Sequence, residues 1–182
     1  MRATGEIVRG EELHGARIVT VDACVVGTGA GGAPAAAELA AAGLSVAMLE
    51  EGAWHDAGTF TASPRDMAPR LYRDGGQSAT IGDPPIVLPT GRGVGGTTLI
   101  NSGTCFRTPA HVLARWRDEF GLAGLTEDAL APVFDDVEDA IGVAEVPAEL
   151  AGENAAIVRR GAERLGLSGG FLRRNARGCV GS

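Results

Sequence analysis

An α/β fold, built on a strand–helix–strand unit with helices appended behind it, is the class this sequence predicts. Three observations carry that expectation. A β-branched apolar run from Ile18 to Val26 leads into the turn Gly27-Thr28-Gly29-Ala30-Gly31-Gly32, an alanine-rich stretch follows, and a second apolar run, Ser45-Val46-Ala47-Met48-Leu49, closes on Glu50. The first run suits a parallel strand buried on both faces. Ala33 to Ala42 reads as a helix on propensity, with Leu39 on its inner side. Pro34 falls in the first turn, where a missing N–H costs little, and Gly43 stands where a helix C′ residue would.

The glycine spacing points to a dinucleotide. Gly27 permits a sharp turn out of the strand, Gly29 a close approach to a pyrophosphate, and Gly32 tight packing of helix on strand. The N–H groups and positive dipole end of the helix would then receive the phosphates. Glu50 lies at the spacing where a carboxylate accepts hydrogen bonds from a ribose 2′-hydroxyl. A Rossmann-like unit that binds its ligand is expected, rather than a βαβ unit of structural use alone.

Composition narrows the function classes. The 182 residues are enough for one domain with its own core, and 45% apolar with 21% charged residues describes a globular chain. A net charge of −7, with every cationic side chain an arginine, argues against nucleic acid as a partner. Met1 to Gly5 carries no signal segment, and Glu38 interrupts the longest candidate for a membrane span. Cys24, Cys105 and Cys179 are odd in number and lack metal-ligand spacing, so reduced thiols in the cytoplasm and no metal site are expected.

Along the chain, residues 1–17 read as an N-terminal arm. Residues 53–90 hold so many glycines and prolines that they form a functional loop, with one short helix near Asp66–Tyr72. Next comes Gly91-Arg92-Gly93-Val94-Gly95-Gly96-Thr97-Thr98-Leu99-Ile100-Asn101-Ser102-Gly103. Four glycines in six residues, followed by hydroxyls and an amide, suit the second face of a cofactor, and Leu99 and Ile100 point to burial.

The two glycine segments together resemble the N-terminal part of the glucose–methanol–choline family of FAD-dependent alcohol oxidoreductases. The first runs from Asp22 to Gly32 and on to Leu49-Glu50-Glu51-Gly52; the second, Gly93 to Asn101, is similar to that family's signature. Thr108-Pro109 and Arg177-Gly178-Cys179-Val180-Gly181-Ser182 look most like its cholesterol oxidase and long-chain alcohol oxidase branches. The likeness implies that Ala30 and Gly31 lie at the pyrophosphate, Glu50 on the adenosine ribose, and Gly95, Thr97, Asn101, Ser102 and Thr104 along the flavin. Some relatives attach flavin through a histidine in the second motif; Asn101 stands there, so FAD is expected to be non-covalent.

It also implies residues 18–107 as the start of an FAD-binding domain and 108–182 as a helical segment opening the remainder. Thr108 is expected to cap a helix begun by Pro109, with Leu113, Trp116 and Phe120 inward and Gly121 at its end. A second helix is expected from Pro132 to Ile141, striped by Val133, Phe134, Val137 and Ile141, since Pro132 argues against one unbroken helix from Thr126. A third runs from Glu153 to Leu165, with Ala155, Val158, Ala162 and Leu165 inward. Asp135, Asp136, Glu138 and Asp139 then face solvent, and Arg173, Arg174 and Arg177 make a surface cluster.

Alcohol oxidation needs a base for the hydroxyl proton. The family it resembles supplies a late histidine; His14, His55 and His111 match no such motif and read as exposed or capping residues. The expectation is therefore an N-terminal fragment with no catalytic residue, inactive alone, from an enzyme that oxidises a sterol or long-chain alcohol. Oxygen or another acceptor would reoxidise the flavin. A non-catalytic flavin-binding relic and an NAD-dependent dehydrogenase are the alternatives.

Overall fold

The strand–helix–strand unit forms because its two strands meet as neighbours in one parallel register. The computed structural model describes residues 5–178, and the chain divides into two units, Met1–Ile100 and Asn101–Ser182. Among the described residues the protein is mixed α/β, with five α-helices and four short strands.

In the first unit, β1 (Ala23–Val26) pairs in parallel with β2 (Val46–Leu49), Ala23 opposite Val46 and Val26 opposite Leu49. The helix α1 (Gly32–Ala41) connects them, with Ala36 buried. It ends as Gly43 requires: Gly43 N–H donates to Ala40 O and Leu44 N–H to Leu39 O, while Gly43 sits at φ +90°. Below the pair, the Asp22 carboxylate accepts from both Ser45 N–H (2.8 Å) and Ser45 Oγ–H (2.6 Å). The strand expected from Ile18 begins only at Ala23. Asp22 lies level with Ser45, and the residues before Ser45 are already the α1 cap, so Ile18 to Val21 find no ladder there; Ile18 is 94% exposed.

The short helix expected near Asp66–Tyr72 is α2 (Pro64–Leu71), capped by Ser63 Oγ accepting from Asp66 N–H and burying Met67 and Leu71. The loop beyond it folds back on itself. Tyr72 bridges Gly91, Ala79 bridges Val87, and Arg73 N–H donates to Thr90 O, so the second glycine run is delivered beside the end of α2.

The second unit holds α3 (Ala110–Phe120), α4 (Glu127–Ile141), β3 (Ala144–Glu145), α5 (Gly152–Arg164) and β4 (Arg173–Arg174). β3 and β4 are antiparallel, and Thr104 bridges Arg174 on the other side of β4. Pro109, not Thr108, occupies the α3 N-cap position, and no side chain caps that end; Gly121 terminates the helix in the left-handed region, as expected. The break expected at Pro132 is absent. Thr126 Oγ1 accepts from Ala129 N–H and starts α4 at Glu127, five residues earlier. Pro132 forfeits the bond to the Asp128 carbonyl, and Asp128 is exposed, so water can satisfy that group.

The apolar stripes are less buried than their spacing implies. Leu113 is 5% exposed, but Phe120, Val133, Val137, Val158 and Leu165 all lie open. Among the described residues the buried hydrophobics are Ala36, Met67, Leu71 and Leu113, so the single core expected from chain length gives way to two thinly filled units. Val158 lines an apolar hollow of about 650 Å³ between α5 and the segment from Leu167 to Leu172.

Charge organises this unit instead. Glu138, read from sequence as solvent-facing, has a side chain only 13% exposed. It accepts from Arg107 Nε–H and Nη2–H (2.9 and 2.6 Å) and from both Nη groups of Arg173 (2.7 and 2.8 Å). Arg107 also pairs with Asp135 and stacks over the Phe134 ring at 5.7 Å. The expected arginine cluster is therefore engaged: Arg174 donates to Ser102 O and Arg177 to Asp139 O. Cys179 to Ser182 lie outside the described residues.

Hydrogen bonds from Arg107 and then Arg173 hold the Glu138 carboxyl down at about 2. Because the folded value lies below the ordinary one of 4.5, the network acts in full above about pH 4.5 and fades as pH falls towards about 2. Carbon-detected NMR titration of Glu138 is expected to give a midpoint near the lower figure; an ordinary midpoint refutes the clasp. Glu138→Gln should lower the urea midpoint at neutral pH and flatten its dependence across that acid window.

Candidate cofactor site

The site begins where the ladder ends. Gly27 N–H donates to Leu49 O at 2.7 Å, carrying the pairing one residue past the end of β1, and Gly27 then turns at φ +94°. That register sets Thr28 against Glu50. Glu50 Oε2 accepts from Thr28 N–H (3.0 Å) and Thr28 Oγ1–H (2.7 Å), and Oε1 accepts from Gly52 N–H (3.0 Å). Partial burial pushes the carboxyl up, but these hydrogen bonds outweigh it, so Glu50 titrates below its ordinary value and is anionic at neutral pH. Its neighbour Glu51 takes the nearby guanidinium groups of Arg73 and Arg92.

The first i to i−4 bond of the following turn runs from Ala33 N–H to Gly29 O. The N–H groups of Ala30, Gly31 and Gly32 precede it and are the donors that an anion would meet at the end of α1. Gly32 does the packing work read from sequence: a Cβ there would lie 2.1 Å from Gly27 O and 3.2 Å from Val25 Cγ1. Gly29 has a second neighbour that the sequence did not reveal. A Cβ on Gly96 would come within 2.9 Å of Gly29 Cα, so the two glycine motifs touch backbone to backbone.

The second motif is held by more such contacts. A Cβ on Gly52 would fall 2.3 Å from Gly93 N, Val94 N–H donates to Ala53 O (3.1 Å), and Gly91 N–H donates to Thr97 Oγ1 (3.2 Å). Gly95 N–H donates to Thr28 Oγ1 at 2.9 Å. The loop then tightens into a 3-10 turn, Gly96–Ile100, with Thr97 exposed and Leu99 and Ile100 half-buried.

Gly27, Gly29, Ala30, Gly31, Gly32, Glu50, Gly95 and Thr97 are thus brought together in the first unit. Asn101, Ser102 and Thr104 belong to the second unit and are exposed. There Asn101 Oδ1 accepts from Gly103 N–H (2.6 Å) and Ser102 Oγ lies 3.4 Å from Thr104 Oγ1. Sequence alone marks Thr28 only as a residue of the turn. The signal that could have found it is a hydroxyl directly after the turning glycine, level with a carboxylate closing the next strand. His14 and His111 are exposed, but His55 is neither exposed nor a cap: its Nε2 is shielded without a hydrogen-bond partner, beside Gly93. Among the described residues no group of side chains could hold a metal, and no helix is long and apolar enough to cross a membrane.

A strand-to-helix glycine turn, closed by a second glycine loop and a carboxylate, defines a mixed α/β protein with a site made largely of backbone donors. The GMC oxidoreductase family model matches residues 68–182, and the chain belongs to that family. It is 47% identical over 165 residues to a GMC-type oxidoreductase of Mycobacterium tuberculosis, covering 90% of this chain and 26% of that protein. Likeness to a GMC-type oxidoreductase of Sinorhizobium fredii is 36% over 173 residues, 95% of this chain and 34% of that one. A protein named long-chain-alcohol oxidase in Arabidopsis thaliana is 36% identical over 158 residues, 87% of this chain and 21% of the relative. The chain therefore spans about a quarter of the length of the M. tuberculosis relative.

The glycine geometry separates two substitutions. Gly32→Ala should destabilise the first unit by roughly 3 kcal/mol, the upper end for an overpacked site, because the Gly27 carbonyl is backbone and cannot yield. Gly31→Ala, with φ −91° and open space around its Cβ, should stay within about 0.5 kcal/mol of the parent. Urea titration followed by circular dichroism reads both; equal losses would refute the packing role of Gly32.

Proposed function

We propose that the chain is the N-terminal, FAD-binding part of an oxidoreductase that oxidises an alcohol CH–OH group, with a Rossmann-type unit holding non-covalent FAD. The observation that carries this reading is the Glu50 carboxylate, ionised and level with the N-terminus of α1. A carboxylate offers about four lone-pair positions. Thr28 supplies two donors, and the Gly52 and Glu51 N–H groups face the carboxylate as well, so a ribose hydroxyl would share an oxygen with a backbone donor, while Ala30, Gly31 and Gly32 present N–H groups to a pyrophosphate. The residues present fit the adenosine diphosphate half of FAD. When bound, FAD supplies the acceptor for the hydride that leaves the alcohol carbon.

Gly95 and Thr97, with Asn101, Ser102 and Thr104, line the flavin in this reading. Asn101 stands where some members of the family join flavin to histidine, which supports a non-covalent cofactor. Membership of the GMC oxidoreductases and the likeness to a long-chain-alcohol oxidase support a hydrophobic alcohol, long-chain or sterol, with oxygen or another acceptor taking the electrons onward.

Three measurements test this. Acid precipitation of the purified protein should release all flavin as FAD into the supernatant; flavin left on the polypeptide refutes the non-covalent reading. ADP should bind at least about tenfold more tightly than 2′-deoxy-ADP, since removal of the ribose hydroxyl costs a charge-assisted hydrogen bond; equal affinities remove Glu50 from the ribose. The enzyme carrying this chain should convert a long-chain primary alcohol to its aldehyde without added nicotinamide. Turnover only with NAD overturns the assignment.

A further inference from the structure

We propose that Thr28 is a positioning residue, whose hydroxyl couples Glu50, at the adenosine ribose, to Gly95 in the second glycine loop. The proposal rests on the FAD reading for its biological meaning, but the coupling itself is a property of the free protein.

The geometry fixes the direction of the hydrogen bonds. Gly95 N–H can only donate, and it points at Thr28 Oγ1 across 2.9 Å. An ionised Glu50 can only accept, and its Oε2 lies 2.7 Å from the same oxygen. The hydroxyl proton therefore goes to Glu50, and the chain reads Gly95 N–H to Thr28 Oγ1–H to Glu50 Oε2. Each bond polarises the next, so whatever changes the acceptor strength of Glu50 is felt at Gly95.

The link matters because of what the loop must do there. Gly95 and Gly96 both lie at positive φ (+105° and +57°), and Gly96 comes up against Gly29. Elsewhere in the loop Arg92 N–H donates to Leu71 O and Val94 N–H to Ala53 O, while the Gly91 and Gly96 N–H groups bond within the segment. Thr28 thus supplies a side-chain hydrogen bond from the first glycine turn to the second, across 67 residues of sequence. A ribose hydroxyl donating to Glu50 would weaken its pull on Thr28 Oγ1–H, and loading one end of the site would be sensed at the other. Thr28→Val keeps the shape of the side chain but leaves the Gly95 N–H without its acceptor; Thr28→Ser keeps the hydroxyl.

Amide hydrogen exchange of Gly95, measured by NMR without any cofactor, decides the matter. In the T28V protein Gly95 exchange should rise about 5- to 10-fold, the value of one hydrogen bond, and T28S should restore it. Gly27, bonded to Leu49 O, should be unchanged in both and so reports that the fold is intact. Glu50→Gln should speed Gly95 exchange when Thr28 is present and add nothing in the T28V background. Parent-like protection in T28V, failure of T28S to restore it, or additive effects of the two changes would each overturn the coupling. Should E50Q lose the Gly27 protection and hence the fold, the T28V and T28S pair still decides. ADP that fails to bind the parent protein, with the exchange pattern as expected, would sink the FAD reading and leave the coupling standing.

Discussion

The Glu50 carboxylate is the group on which the first unit depends. It collects donors from three directions: the backbone and hydroxyl of Thr28, and the N–H of Gly52. Remove it and the Thr28 backbone N–H, its hydroxyl proton and the Gly52 N–H all lose their acceptor in a half-buried place, where each unmet group costs about 1–3 kcal/mol. Its position follows from register. Val26 opposite Leu49 lets Gly27 N–H reach Leu49 O, and the next residue on each strand is then Thr28 facing Glu50. A slip of one residue along β2 would turn the carboxylate to the other face and leave the turn without it.

Around that anchor the first unit is packed by absence of side chains. Gly27 against Gly32, Gly29 against Gly96 and Gly52 against Gly93 are contacts that a single methyl would break. Backbone brought this close yields N–H groups at fixed positions, the currency of phosphate recognition. The second unit solves a different problem. With few apolar side chains buried, it gathers α4, β4 and the segment before α3 on one carboxylate, Glu138, using the paired forks of Arg107 and Arg173. Neighbouring carboxylates on α4 show how sharply place decides role: Glu138 is 13% exposed, while Asp136 carries no such network.

What was legible in the sequence was local. The glycine turn, α1 with its Gly43 ending, β2 and the short α2 all follow from signals within a few residues of one another. Misreadings occur where a distant partner decides. Ile18 to Val21 have strand composition but nothing level with them among the described residues, and Val133 and Val137 have core spacing but lie exposed. β3 and β4 were invisible because two-residue strands, one of them a pair of arginines, carry no apolar alternation. The arginines were legible as a cluster, but their partners on α4 were not, because the pairing spans 35 residues. At Pro132 a strong local rule lost to a stronger cap at Thr126, since the forfeited bond lies in a turn that water reaches.

Thr28 is the instructive case, because composition alone makes it look interchangeable. Between two glycines, any small residue would let the turn form. What alanine could not do is face a donor and an acceptor at once. Gly95 N–H has no lone pair and Glu50 has no proton, so a group placed between them must both accept and donate, and among side chains that would fit the turn only a hydroxyl does so. The same bookkeeping explains why Glu50 can serve the fold and still meet a ligand. Both Thr28 donors meet Oε2 and the Gly52 N–H meets Oε1, so a ribose hydroxyl arriving at Oε1 draws on the same negative charge while the Thr28 bonds stay on Oε2, weakened but still made. Structural and recognition roles are thus divided between the two oxygens of one carboxylate.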